Sequence, residues 1–482
     1  MSKIRKLAGE TALYGLGTIL PRMLSFLLVP FYTYVFRPEE YGVVVKLHAI
    51  VGFMNIIYMF GMETAFFRFA TKPGADSKRI FDLAQSSVLY ISVPLSILFI
   101  VFASPIASAL GVDGHPEFII WLTLVMLLDA AVAIPFARLR LEKKALQFAT
   151  AKIINVLLLL ALTYYFLKIK YDPAIGIGYV FLSTLVANVF YILFFAKTLL
   201  SWRPAYDRQI SPQMLQYAYP VMLSGAAGMT NEMFSRLTLD WWLPENFYPN
   251  LSNKAAVGIF GACYKYSVLM SLGIQAFRFA AEPFFFSNAA NRNSPALFAR
   301  VNHFFIITSC FFLLSVCINL DILKYFIAPD YWQGLYIVPI LLLAYLCLGA
   351  YYNFSVWFKV TDKTYYGTWI TVGGAIVTIG ANYLLIPLLG FEGSAWAALI
   401  CYFSMAVACY ATGQKFYPIP YSVIQSLGYI MVTLLLVYTV NLIEFSNQYL
   451  ATGFHALVLL LFVGMVYLLE KKKLHTQKPH FN

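Results

Sequence analysis

Charge is what this sequence has least of. Only 12% of its 482 residues are charged, and only 22 are acidic. Soluble domains carry about 25% charged residues, so a chain this poor in charge cannot cover a surface that faces water. Cysteine is scarce too. Cys263, Cys310, Cys317, Cys347, Cys401 and Cys409 all lie in apolar segments, away from the spaced Cys/His clusters of a zinc site. They read as small buried hydrophobes. No glycine-rich phosphate loop occurs in the polar segments, so nucleotide hydrolysis is not expected. No polar stretch is long enough for a separate soluble domain.

What the chain has instead is apolar length. Hydrophobic residues make up 61% of it, and the mean hydropathy is +0.72. A membrane-crossing helix needs about 20 apolar residues, and such runs recur from end to end. Unpaired backbone groups are not tolerated in hydrocarbon, so the spans must be helical. The expected fold is therefore an all-α integral membrane bundle of about fourteen transmembrane helices. They fall at roughly 8–36, 42–69, 80–110, 117–137, 147–168, 174–199, 213–243, 254–288, 299–320, 335–359, 365–388, 394–412, 421–441 and 449–470. The basic stretch Lys3 to Lys6 precedes an apolar run that is too long for a leader and carries Arg22, so it reads as a retained first helix.

The net charge of +12 raises the question of nucleic acid, but the basic residues fall in alternate loops. With the N-terminus in the cytoplasm, the inner segments hold groups such as Lys72, Lys78 and Arg79, then Arg138, Arg140, Lys143 and Lys144, and finally Lys471 to Lys473. The intervening loops hold only Arg37, Lys168, Lys170, Lys254 and Lys324. That is the asymmetry of orientation signals, and it puts both termini in the cytoplasm.

Two segments 216 residues apart hint at an internal repeat. Glu40-Tyr41-Gly42 opens the second expected helix and ends in Lys46, while Ala256-Val257-Gly258 opens the eighth and leads to Lys265. Later in each half, Arg68 and Arg278 stand in similar phenylalanine- and alanine-rich surroundings. Transporters commonly place their site between such repeats.

A charge at mid-membrane costs at least about 2.5–3.5 kcal/mol on insertion scales, so it faces a partner or a polar cavity. Arg22 follows Pro21 near the middle of the first helix, and a guanidinium is a fork suited to phosphate. With Lys46 and Lys265 it would line one positive lumen able to take a diphosphate out of water. Each of the three also has a plainer reading, as a paired or snorkelling residue. The intramembrane acids are Glu63, Asp129, Glu232, Asp240 and Glu282. Glu232 with Arg236, and Arg278 with Glu282, are i,i+4 pairs that either neutralise one another or form an H⁺ or Na⁺ coupling site. Glu63 and Asp240 join them as candidate coupling residues. No other cofactor and no metal site is expected.

Three segments carry a resemblance to a known family. They are Pro21-Arg22 through Pro30 leading to Arg37-Pro38-Glu39-Glu40-Tyr41-Gly42; Ala328-Pro329-Asp330-Tyr331-Trp332-Gln333-Gly334 with Val338-Pro339; and Asp362-Lys363-Thr364, followed by Asn382 through Pro387, Gly390, Gly393 and Ala395-Trp396-Ala397. The chain resembles the polysaccharide transporter branch, including Wzx-type flippases, of the multidrug/oligosaccharidyl-lipid/polysaccharide (MOP) exporter superfamily. The resemblance implies two six-helix lobes forming a V, 1–200 and 213–412, with an added helix pair at 421–470 and a cytoplasmic tail at 471–482. It further implies alternating access in a bacterial inner membrane. The expected cargo is an undecaprenyl-diphosphate-linked oligosaccharide such as an O-antigen repeat unit, with glycosyltransferases and a glycan polymerase as pathway partners. The drug-exporting branch usually has an acid in the first helix, and Arg22 in its place favours anionic cargo. A cation-coupled multidrug exporter and a lipid II flippase are the alternatives. A membrane enzyme such as a glycan polymerase or acyltransferase is disfavoured, because every expected outer loop is short.

The loop-charge pattern is directly testable. Reporter fusions after Lys144, Arg208 and Lys473 should report cytoplasm, and those near Gly114, Asn250 and Gly393 the opposite side. A C-terminus on the outer side would mean that the helix count is off by one.

Overall fold

The computed structural model describes residues 15, 17, 19–289, 293–443, 445 and 447–476. The expected start of the first helix, the basic residues Lys3 to Lys6 and the end of the tail lie outside the described residues.

The described chain is helical, without a strand. In order the main helices are α1 (Ile19–Val35), α2 (Pro38–Met59, resuming as Met62–Ala70), α3 (Ser77–Val101), α4 (Pro116–Leu141), α5 (Ala145–Tyr164), α6 (Gly178–Phe194) and α7 (Ile210–Trp242). Then come α8 (Asn253–Asn288), α9 (Ser294–Ile318), α10 (Val338–Phe354), α11 (Tyr365–Leu389), α12 (Phe391–Phe416), α13 (Val423–Asn441) and α14 (Gln448–Thr476). Among the described residues, 11 helices are long and apolar enough to cross a membrane. The chain is a multi-pass membrane protein. The other three of the expected fourteen miss that measure for distinct reasons. The described parts of α1 and α6 are shorter, and the 33-residue α7 is long enough but too polar.

Local chemistry sets several ends. Pro38 opens α2, where a missing N–H costs nothing. The Arg37 amide there donates to Glu40 Oε2 at 2.9 Å. The expected continuous second helix is interrupted, because Phe60 and Gly61 both take left-handed φ, 48° and 67°. A Cβ at Gly61 would stand 2.7 Å from the Ala218 carbonyl oxygen, so α7 presses directly on the break. The expected span 80–110 is likewise divided at Phe102, with a short helix Ala103–Ala109 after it. Inside α3, Pro94 removes one backbone donor.

The polar stretch before α7 is not a slack linker. Its residues are tied to the start of α3. Lys78 Nζ donates to the Ser201 carbonyl at 2.8 Å and to Asp82 at 2.6 Å. The Ala205 amide and the Trp202 indole both donate to Ser86 Oγ. Asp207 accepts from the Gln209 and Ile210 amides at the mouth of α7 and pairs with Arg79. Those amide bonds, with Arg79 beside them, hold its carboxyl below the ordinary range.

Two compact units emerge, 1–265 with 371–397, and 266–370 with 398–482. This division does not coincide with the lobe boundary expected near residues 200–213. In the first unit α4 is central, packed on α2, α3 and α6. Its partners build an apolar core around Tyr58, Phe66, Phe81, Met126 and Met214. Phe136 meets Phe148, Tyr191 and Phe195 edge-on. In the second unit α9 is central, packed on α10, α13 and α14. Elsewhere leucines such as Leu193, Leu388 and Leu460 are exposed, as a surface solvated by lipid requires.

Helix α2 and the start of α8 cross at close range in the first unit. A Cβ on Gly42 would sit 2.0 Å from the Lys254 carbonyl oxygen, and one on Gly258 would sit 2.0 Å from the Pro38 carbonyl oxygen. Small residues let backbones approach where no hydrophobic force drives helices together. Gly42→Ala should therefore lower the melting temperature in detergent, at an overpacking cost of about 1–3 kcal/mol. Gly228→Ala, with nothing within 4 Å of the added carbon, should be neutral. Equal melting of the two variants would show that the crossing tolerates bulk.

Candidate functional site

The Gly42–Gly258 crossing is reciprocal. Each glycine faces the carbonyl that stands four residues before the other, so the two segments paired by their spacing in sequence touch each other directly. One turn further along α2, Lys46 is 5% exposed. Its ammonium donates to Asp240 Oδ2 at 2.6 Å and lies 4.4 Å from the centre of the Trp241 ring. Both partners come from the end of α7, which is tied to α8 by Asn253. That side chain donates to the Asp240 and Leu243 carbonyls, at 3.2 and 2.7 Å.

Lys46 is therefore compensated. The expectation of Lys46 as an open charge in a positive lumen is revised, since Lys46 and Asp240, assigned separately to cargo and to coupling, form one ion pair. Burial explains it, because an ammonium this far from water needs a carboxylate.

Arg236, one turn before Asp240 on α7, stacks on Tyr264 at 3.8 Å from the ring centre, and its Nη1 lies 2.8 Å from Met233 Sδ. Among the described residues no ion pair joins it to Glu232, which is exposed. The i,i+4 spacing allows that pair, but the aromatic face takes the guanidinium. Lys265 lies within electrostatic reach of both Arg236 and Glu232, and His48 within reach of Lys265. His48 Nδ1 is 2.8 Å from the Val44 carbonyl oxygen and so carries the proton. The α2–α7–α8 cluster thus holds Lys46, Lys265 and Arg236 against Asp240 and Glu232, an excess of positive charge. Arg22 stands exposed on α1, in the same unit but on a different helix.

The remaining candidates lie elsewhere. Glu63 pairs with Arg140, whose guanidinium also faces Phe67 at 5.0 Å. In the second unit Glu282 accepts from Arg278 at 3.2 Å and from Lys359 at 2.8 Å, while Arg278 stacks on Tyr352. Here the i,i+4 pair does form, with a second cation on the same carboxylate oxygen.

Sequence reading noticed Asp129 but missed its surroundings. Asn188 donates to Asp129 at 3.0 Å, and Asn155 donates to Asn188 at 3.2 Å. Lys152 lies over Phe136 and Tyr191 nearby. A second network joins Asn231 on α7 to the Thr371 carbonyl and the Thr378 hydroxyl on α11, both at 3.2 Å. Asparagine inside apolar runs was the available signal. No group of three or more His, Cys, Asp or Glu able to hold a metal occurs among the described residues.

Sequence and fold comparisons agree with this architecture. A model of the family described as "Polysaccharide biosynthesis protein" matches residues 7–289. The chain belongs to this family. No curated protein matches it significantly. Among solved structures, "Lipid II flippase MurJ, inward closed conformation" superimposes with a TM-score of 0.73 at 14% identity, over 95% of this chain and 99% of that one. "Inward-facing conformation of a multidrug resistance MATE family transporter of the MOP superfamily" gives 0.60 at 15%, over 84% and 94%. "Crystal structure of MATE in the straight conformation" gives 0.56 at 14%, over 85% and 94%. This member of the polysaccharide-biosynthesis family thus has the fold of these flippase and transporter structures.

The Lys46–Asp240 pair yields a stability prediction for this family member. Lys46→Met alone strands a buried carboxylate and should cost about 3–5 kcal/mol. Lys46→Met with Asp240→Leu should recover most of that loss in detergent melting curves. Additive losses in the double variant would show that the two side chains act independently.

Proposed function

We propose that this protein flips an anionic lipid-linked oligosaccharide, of the undecaprenyl-diphosphate type, across a bacterial inner membrane by alternating access, with both termini in the cytoplasm. The observation that carries the proposal is the positive excess at the α2–α7–α8 cluster, built around Lys265 and Arg236. A diphosphate leaving water needs several charge-assisted donors, and a cationic drug would be repelled there. The family's role in polysaccharide biosynthesis supports the same reading. The step breaks no covalent bond, so the protein acts as a carrier and not as an enzyme. Glycosyltransferases would supply the cargo, and a glycan polymerase would consume it.

Arg22 and Lys265 are the cargo-binding residues in this proposal. Lys46 serves by holding Asp240 and the end of α7. Glu232, exposed beside Lys265, is the residue through which H⁺ or Na⁺ would couple. The MATE-like fold keeps a second reading alive, a cation-coupled drug exporter, and the MurJ likeness a third, lipid II as cargo.

The test is surface glycan in a flippase-deleted strain, at matched protein level. Arg22→Ala and Lys265→Ala should each reduce export at least tenfold. Arg22→Lys should restore only part, because it keeps the charge and loses the planar fork. Lys46→Arg should keep the pair and keep export. Glu232→Gln should lose any response to an imposed ion gradient. Full export by the Arg22→Ala/Lys265→Ala double variant would remove the anionic-cargo reading. Rescue of a lipid II flippase deletion instead would reassign the cargo.

A further inference from the structure

The second unit holds a polar cavity that the transport cycle proposed above does not use. It has a volume of about 530 Å³ and lies where α9 ends, α13 ends and α14 begins. Three helices that end or begin together put it at the level of lipid headgroups. Asp321, Lys324, Tyr325, Asn441, Gln448 and His455 converge on it. Two other cavities of this unit are walled mainly by apolar side chains, one of them by Met270, Ile274 and Phe305 between α8 and α9.

Two of its groups are unsatisfied. His455 is 5% exposed, and its Nδ1 has no hydrogen-bond partner. Asp321 Oδ1 has none either. The two atoms stand 3.8 Å apart, beyond a hydrogen bond. Buried polar atoms nearly always have partners, so two orphans on residues that line one cavity are groups that a small side-chain turn would offer to a ligand there. The cavity wall is built, not incidental. Phe445 meets the His455 ring edge-on at 6.2 Å, and Lys324 Nζ rests 4.7 Å from the centre of the Trp332 ring. Trp332 in turn is fixed by donating to the Lys324 and Ile327 carbonyls.

We propose that this cavity binds the zwitterionic phosphoethanolamine headgroup of a membrane phospholipid. Asp321 takes the ammonium. Lys324 and an N–H of His455 take the phosphate, and the α14 N-terminus adds its positive dipole end. The carboxamides of Asn441 and Gln448 bond ester oxygens. A plain anion would meet Asp321, and a plain cation would meet Lys324, whereas a headgroup carrying both charges satisfies each. Exposed Leu442, Ile443, Tyr449 and Leu450 beside the opening provide the surface for acyl chains, which makes a lipid, and not free phosphoethanolamine, the source of that headgroup.

The full-length protein, delipidated in detergent, is offered dioleoyl phosphatidylethanolamine, dioleoyl phosphatidylglycerol or soluble phosphoethanolamine, and retained ligand is read by native mass spectrometry. Wild type should retain phosphatidylethanolamine at least fivefold over phosphatidylglycerol and retain no soluble phosphoethanolamine. Asp321→Asn should erase the preference by weakening the ammonium contact alone, while Lys324→Gln should weaken both lipids. His455→Gln, a milder change, should reduce phosphatidylethanolamine severalfold with the melting temperature of the lipid-free protein unchanged. Equal retention of the two lipids by wild type, or a preference surviving Asp321→Asn, would overturn the proposal. Soluble phosphoethanolamine binding as well as the lipid would overturn the lipid as its source.

Discussion

The backbone contact between α2 and α8 governs most of what surrounds the candidate site. With Gly42 and Gly258 each against the other helix's carbonyl, no side chain can separate the two helices there. That closeness fixes the depth at which Lys46 and Lys265 leave their helices. It also leaves a buried ammonium that the end of α7 must neutralise. Asp240 supplies the carboxylate and Trp241 the ring face. Asn253 then binds the α7 carbonyls to the start of α8. Packing, charge compensation and helix ends are here one arrangement with one cause.

A membrane solvent sharpens that cause. In water a lysine released from its partner is rehydrated at little cost, but in hydrocarbon it is not. The arginines on the inner helices have accordingly found a carboxylate or an aromatic face. Arg140 has Glu63 and Phe67, Arg236 has Tyr264, and Arg278 has Glu282 and Tyr352. Stacking on tyrosine leaves a guanidinium's charge formally uncompensated, which is why the cluster around Arg236 keeps a positive excess. An ion pair would have cancelled it.

Length, composition and loop charge determined the class by themselves. So many apolar runs with so little charge admit only a helical membrane bundle, because backbone groups in lipid must pair within their own segment. The segments around Pro21-Arg22, Asp330 and Asn382 carried the family resemblance, and the spacing of Gly42 and Gly258 hinted at a repeat. These signals are local or periodic, so a linear reading reaches them.

Partner choice was decided only by the tertiary structure. Asp240 is 194 residues from Lys46, and no spacing rule connects positions on different helices. Spacing predicted Glu232–Arg236 and Arg278–Glu282 on equal terms. Among the described residues only the second pair forms, because Tyr264 offers the first arginine a ring from another helix. The break at Phe60–Gly61 likewise depends on α7 pressing against it. The polar cavity near Asp321 draws on residues more than a hundred positions apart. An i,i+4 rule describes what a helix allows on its own surface. Which allowed contact is made depends on what the neighbouring helix presents, and the order of the chain does not record that.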